Sequence, residues 1–286
     1  MKVVIIGGVA GGATAAARLR RLDERAEIVV LERGGYVSYA NCGLPYYIGG
    51  VIRERAKLLL QTPESFKRRF RVDVRVQNEA IEIMPAVKQV RVRRLADGSE
   101  YVESYDKLIY APGAKALRPP FVGQDERIFT LRTVEDTFAI DDYIKARAPQ
   151  RAVVVGGGFI GIEAAENLVE RGIGVTLIQL EDQVMLPFDY DMACILHSKL
   201  REKGIDLRLA SKVISLRGDA DGIAAEIEGK EPARADFAIL AVGVTPETEL
   251  AKKAGLALGM KGAVLVDAHM RTSDADIYAV GDAVQV

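Results

Sequence analysis

The sequence has only two cysteines, Cys42 and Cys194, in 286 residues. They are too few and too far apart for a disulfide framework, and neither has partners at metal-ligand spacing. A free thiol of this kind fits a reducing, cytoplasmic compartment, where it stays available for chemistry. Histidine is equally scarce, with His197 and His269 the only two. Charge is nearly balanced: 39 Lys and Arg against 40 Asp and Glu leave a net −1. That balance offers no basic excess to attract nucleic acid or an anionic membrane. No charge-free apolar run is long enough to span a bilayer, so no membrane segment is expected. Low-complexity stretches and long linkers are missing as well.

What remains is a globular composition, 49% apolar and 28% charged, with length for one large or two ordinary domains. The opening stretch, MKVVIIGGVAGGATAAARL, has the lysine, apolar run and small residues of a secretory leader. Its glycines are clustered, however, and Arg18, Arg20 and Arg21 lie in or just after it. A second apolar strand then ends at Glu32. These features read as a folded strand, turn and helix.

That unit occurs twice. KVVII at 2–6 is a short continuous apolar strand of the kind buried in a parallel sheet, followed by GGVAGG, the helical ATAAARLRRL and the strand EIVVLE. About 150 residues later the order returns: a strand at 152–155, a glycine-rich turn, a helix near 159–171 and a strand at 174–180. The repeat predicts an α/β chain with two mononucleotide-binding domains built on parallel sheets. Between the repeats, VRVQNEAIEI, QVRVRRL and EYVESYDKLIY alternate as antiparallel strands, with a turn at Asp97-Gly98. Thr133 and Asp136 form a helix-capping box. ASKVISLRG, GIAAEIEG and DFAILAVG read as further strands.

The second glycine loop matches G-x-G-x-x-G at Gly156, Gly158 and Gly161. The first glycine permits the turn, the second admits a pyrophosphate to the backbone, and the third lets helix and strand touch. The helix start then offers free N–H groups to phosphate. A packing turn with no ligand is the simpler alternative. At the end of the next strand, where an acid usually bonds the ribose, stands Gln179. Glu181 and Asp182 follow, with no Arg or Lys to hold a 2′-phosphate, which favours NADH and leaves NADPH open. In the first loop Gly7 and Gly12 hold the outer positions, but Val9 takes the middle one, flanked by Gly8 and Gly11. Glu32 is placed for a ribose. Pro112-Gly113 and Gly281-Asp282 each follow an apolar strand, as ordinary strand-end turns also do.

Taken together and in this order, these pieces resemble the pyridine nucleotide-disulfide oxidoreductases, over the whole chain. The resemblance implies two Rossmann-like domains with additional antiparallel strands: an FAD domain at 1–112 and 245–286, and an NAD(P)H domain at 113–244. It implies FAD contacts from Gly7, Gly8, Gly12, Glu32, Pro112, Gly113 and Asp282. NADH or NADPH would meet Gly156, Gly158, Gly161 and Gln179, with Glu163 and Gly243 near the nicotinamide. Dithiol members carry C-x₄-C, but the residue five after Cys42 is Tyr47. SYANCGLPYYIGG instead resembles the single-cysteine branch, with Tyr39 where Phe is usual. That branch includes CoA-disulfide reductases, persulfide and polysulfide reductases, and NADH oxidases and peroxidases. Oxidase and peroxidase members carry a histidine in the first glycine loop, where this chain has Ala10. In the CoA-disulfide reductases, residues matching Thr14, Arg18, Arg21, Ser38 and Asn41 bind CoA. Two arginines three apart on a helix suit a phosphate-rich substrate; solvated surface arginines are the other reading.

Cys42 precedes Gly43-Leu44-Pro45, which reads as the first turn of a helix. A thiol there is favoured as thiolate, able to attack a disulfide or polysulfide. The expected enzyme passes electrons from NAD(P)H through FAD to Cys42, which reduces CoA disulfide or per/polysulfide. The alternatives are an oxidase or peroxidase cycling a sulfenic acid, a non-catalytic flavin-binding module, and a flavoprotein serving a partner protein with an idle thiol. Cys194 reads as a buried structural thiol. The family normally continues into a C-terminal dimerisation domain, so the full-length protein is expected to be a homodimer of which this chain is a truncated part.

Overall fold

A computed structural model describes all residues from 1 to 286. The helices are α1 (Ala10–Leu22), α2 (Leu44–Ile48), α3 (Pro63–Phe70), α4 (Val134–Arg147), α5 (Phe159–Glu170), α6 (Tyr190–Glu202) and α7 (Glu249–Lys253). The chain divides into two compact units. The first comprises Met1–Ala40, Leu59–Lys115 and Thr245–Val286; the second comprises Asn41–Leu58 and Ala116–Val244.

The first unit is built on a parallel sheet in the order Ile277–Ala279, Lys107–Tyr110, Lys2–Ile6, Glu27–Leu31, Asp73–Arg75. Lys2–Ile6 runs through the middle, Val3 opposite both Ile28 and Lys107. Its continuous apolar sequence has a plain cause: both faces are covered. Val3 and Ile5 pack with Ala13 and Ala16 of α1 and Phe66 of α3. Val4 and Ile6 face the opposite way, towards Val90, Val92 and Tyr110. Val90 and Val92 belong to a three-stranded antiparallel sheet formed by Asn78–Met84, Gln89–Arg94 and Glu100–Ser104.

The expected turn is present at Asp97-Gly98, with Gly98 at φ 73°. Two short pieces differ from the sequence reading. Asp73–Arg75, read as part of an antiparallel strand, pairs parallel to Glu27–Leu31. Lys107–Tyr110 leaves the hairpin and lies parallel to Lys2–Ile6. Leu108 and Tyr110, fully buried, anchor it in the core between the two sheets.

The second unit repeats the plan. Its parallel sheet runs Asp206–Arg208, Gly174–Ile178, Arg151–Val155, Phe237–Leu240, Ile128–Thr130. A three-stranded antiparallel sheet of Val213–Asp219, Gly222–Ile227 and Lys230–Ala235 packs against it through Val153, Val155, Leu216, Ile223 and Leu240. Phe237–Leu240 is a strand as expected and pairs parallel to Arg151–Val155. α4 opens with the anticipated capping box, both reciprocal bonds between Thr133 and Asp136 being made. No helix is long and apolar enough to cross a membrane.

A charge cluster ties the two sheets of the first unit. Glu103, 7% exposed, accepts from Lys2 and from Arg75. Burial alone would push its carboxyl up, but the two cations outweigh this and hold it below its ordinary range. Glu103→Gln is expected to lower the unfolding free energy by about 2 kcal/mol near neutral pH, read from urea denaturation. The Glu103 contribution is complete above the unfolded value of about 4.3 and is lost as pH falls through the lower folded value. The gap between wild type and variant should therefore narrow as the pH falls below about 4.3.

Candidate functional site: two glycine cradles and an exposed thiol

In the first unit the chain leaves Lys2–Ile6 and turns at Gly7, whose φ of 95° excludes most side chains. α1 then rests on the turn. A Cβ on Gly12 would lie 1.8 Å from the Gly7 carbonyl oxygen. The Gly8 N–H donates to Glu32 Oε2 at 2.7 Å, and the Gly34 N–H donates to Oε1 at 2.7 Å. Glu32 therefore braces the loop with both oxygens. Pro112 and Gly113 follow Lys107–Tyr110 on the neighbouring strand, and Asp282 is exposed after Ile277–Ala279.

The first unit also contains a cavity of about 620 Å³ lined by Gly7, Glu32, Arg33, Tyr110, Pro112 and Glu247 among others. Its size and mixed lining fit one end of a dinucleotide. Three of its residues were in the sequence reading; Arg33, Tyr110 and Glu247 were not. Arg33 adjoins Glu32 and was within reach of that reasoning. Glu247 reaches the cavity through a long-range bond, the Tyr110 hydroxyl donating to its carbonyl at 2.8 Å, for which no local signal exists.

The second unit builds its loop the same way. Gly156 has φ 111°, and a Cβ on Gly161 would lie 1.9 Å from the Gly156 oxygen. The Gly157 N–H donates to Gln179 Oε1 at 2.7 Å, so Gln179 stands in the place of Glu32 and braces its loop similarly. A Cβ on Gly158 would meet nothing within 4 Å. This open space before the first turn of α5 is where a phosphate group can approach free N–H groups. Gly243 is exposed at the end of the adjacent strand. Glu163 lies one turn into α5; burial, and then the Glu166 carboxylate, push its own carboxyl up.

Thr14, Arg18 and Arg21 line one exposed face of α1, at helical spacing. Arg20 does different work. It donates to the carbonyls of Phe70, Arg71, Asp23, Glu24 and Ala26, stitching α1 to the end of α3. Ser38 belongs to the first unit, at φ 47°, its N–H donating to the Gly8 carbonyl. Asn41 and Cys42 begin the part of the second unit that precedes α2.

Cys42 lies in a 3₁₀ turn, Asn41–Gly43, that runs into α2, with Pro45 in its first turn as expected. The thiol is exposed. The helix has five residues, which align few peptide dipoles, and exposure is the feature that matters. Cys194, read as buried, is only half-buried on α6. Ala193, His197 and Leu200 form the packed stripe of that helix, and position 194 falls beside it. His197 is tied into this packing, its Nε2 accepting from the Val184 N–H at 3.2 Å.

Comparison with known proteins agrees with this architecture. The family model described as pyridine nucleotide-disulphide oxidoreductase matches residues 1–286. A coenzyme A disulfide reductase of Staphylococcus haemolyticus is 37% identical over 285 residues, covering 99% of this chain and 63% of that enzyme. The crystal structure of reduced Bacillus anthracis CoADR-RHD superposes with TM-score 0.95 at 48% identity, covering 99% of this chain and 51% of the other. A NAD-dependent persulfide reductase from A. fulgidus gives TM-score 0.95 at 40% identity, with 99% and 53% covered. The chain belongs to the pyridine nucleotide-disulphide oxidoreductase family. It spans 63% of the staphylococcal enzyme's length and about half of each of the other two proteins.

The two glycines of the second cradle should separate folding from binding. Gly161→Ala forces a methyl onto a backbone oxygen and is expected to lower the melting temperature. Gly158→Ala places its methyl in open space, so the melting temperature should stay as in wild type. NADH affinity should nevertheless fall about tenfold or more, because backbone approach to the pyrophosphate is blocked. Calorimetry and fluorescence titration of both variants test this.

Proposed function

We propose that the chain carries the cofactor sites and the redox thiol of an FAD- and NAD(P)H-dependent reductase of CoA disulfide or of related per- and polysulfides. The observation that carries the reading is the exposed Cys42 at the mouth of α2, in a chain whose two units each present a braced glycine cradle. The cofactors of the family are FAD and a pyridine nucleotide. In this reading Gly7, Gly8, Gly12, Glu32, Pro112, Gly113 and Asp282 hold FAD, and the cavity of the first unit receives part of it. Gly156, Gly158, Gly161, Gln179, Glu163 and Gly243 serve the pyridine nucleotide. Gln179 accepts from Gly157 through its oxygen, so the carboxamide N–H₂ is left to donate towards a ribose oxygen. With Glu181 and Asp182 following, NADH is the preferred donor.

When bound, FAD supplies a two-electron relay between the nicotinamide and the thiol. The residues of the chain do the rest. The Cys42 thiolate attacks one sulfur of the substrate RSSR, forming Cys42–S–S–R and releasing RS⁻, which takes up a proton. Two electrons and a proton from NADH then cleave that bond to RSH and the Cys42 thiolate, which is ready for the next substrate. The sum is NADH + H⁺ + RSSR → NAD⁺ + 2 RSH. Thr14, Arg18, Arg21, Ser38 and Asn41 are the proposed contacts for CoA, the arginines meeting its phosphates. A homodimeric full-length protein in the cytoplasm completes the reading. The relatives named for coenzyme A disulfide and persulfide reduction support the substrate class.

Anaerobic titration of the FAD-loaded protein with NADH tests the role of the thiol. Protein whose Cys42 carries a mixed disulfide should take up two electrons beyond those the flavin accepts. Cys42→Ser should lack that increment. Equal NADH uptake by the two proteins would contradict the reading.

A further inference from the structure

A redox role for Cys42 requires its sulfur to be held in place, yet α2 has five residues, too few for a helix to persist alone. Side chains of the second unit supply the restraint. Arg171, immediately after α5, donates through Nη1 to the Ile48 carbonyl at 2.7 Å and to Asp141 Oδ1 at 2.8 Å. Ile48 ends α2, so its carbonyl is one that a helix terminus leaves without an intrahelical donor. Asp141, on α4, is 2% exposed and also accepts from Lys145 Nζ at 2.7 Å. Burial would push its carboxyl up; Lys145 and Arg171 outweigh burial and hold it low.

Steric fit adds to the charge contact. Gly49, just past α2, lies against Asn167 of α5, and a Cβ there would come 2.2 Å from Asn167 Oδ1. Asn167 is buried and anchored by donating through Nδ2 to the Glu163 carbonyl at 2.8 Å. Tyr47 packs edge-on to Phe138 of α4, with ring centres 5.6 Å apart. Arg55 covers the same Phe138 ring and pairs with Asp142.

We propose that Arg171 is a positioning residue for Cys42, supported by Asp141 and Asn167. These three fasten the helix that follows the thiol to α5, the helix whose first turn forms the pyridine-nucleotide cradle. Gly158 caps the start of α5 and Arg171 caps its end. One helix therefore serves the nucleotide at one end and the thiol segment near the other. This proposal rests on the reading of Cys42 as the redox thiol.

The test compares FAD-loaded wild type, Arg171→Met, Arg171→Lys and Gly49→Ala, each with Cys42 first converted to its CoA mixed disulfide, by three measurements. Amide exchange reads the restraint, because the Gly49, Gly50, Val51 and Ile52 N–H groups donate back to carbonyls of α2. NADH titration reads the cradle. Iodoacetamide trapping after NADH addition reads how fast Cys42 becomes a thiol. In Arg171→Met, exchange at 49–52 should rise about tenfold or more, with Arg151–Val155 unchanged. Its Cys42 reduction should slow about tenfold or more while NADH affinity stays within about twofold of wild type.

Arg171→Lys should recover part of both effects. Gly49→Ala keeps every charge and should reproduce the Arg171→Met phenotype, so the test survives poor folding of the latter. Adding Asn167→Ala to Gly49→Ala should partly restore wild-type behaviour. Wild-type exchange and reduction rates in either folded variant would overturn the proposal. Faster exchange with an unchanged reduction rate would also overturn it, leaving a purely structural contact. A wild-type Cys42 that takes up no electrons would sink the functional reading itself, and that result appears before any variant is compared.

Discussion

The structure depends on one close approach, made twice: a helix backbone resting on the carbonyl of the turn that launches it. Gly12 sits over the Gly7 oxygen and Gly161 over the Gly156 oxygen, with no room for a methyl at either place. That approach brings each helix start next to the end of its strand, where N–H groups lacking intrahelical partners collect. A bracing acceptor from the following strand then takes the N–H of the second glycine. It is Glu32 in one unit and Gln179 in the other. The parallel sheet, the turn and the brace form one device, and the two glycine cradles follow from it.

The two copies differ where their tasks would differ. Aligned through the glycines and the braces, Val9 occupies the position of Gly158. The first loop therefore presents a side chain where the second presents open space. Glu32 accepts from the Gly8 and Gly34 N–H groups, one on each oxygen, and brings a formal charge. Gln179 engages one, and its other end is a donor. A carboxylate and a carboxamide in equivalent places offer a ribose different partners and different electrostatics. The departure of the first loop from G-x-G-x-x-G is thus no defect in the cradle, because the glycines at the two crowded positions are retained.

The parts of this architecture that were legible in the sequence are those fixed by local chemistry. The Lys2–Ile6 and Arg151–Val155 strands announce themselves as unbroken apolar runs because neither face of their sheets meets water. The glycine positions follow from turn geometry and close packing, and the Thr133–Asp136 box is a contiguous signal. What was missed depends on partners distant in the chain. Asp73–Arg75 is too short to show a period, and Lys107–Tyr110 changes sheets within a stretch that reads as one hairpin. The attachment of residues 41–58 to the second unit rests on bonds such as Arg171 to Ile48, 123 residues apart. The wall of the cavity contributed by Glu247 has the same origin. Cys194 was misjudged by one position around a helix.

The account places the chemistry on a single sulfur. Its most direct test is to reduce the FAD-loaded protein with NADH, remove excess reductant, add two equivalents of CoA disulfide, the first of which consumes the electrons held by the flavin, and map the adduct by peptide mass spectrometry. The account predicts a CoA mixed disulfide on Cys42 and none on Cys194. Adduct spread over both cysteines, or found on Cys194 alone, or absent from the protein, would contradict it.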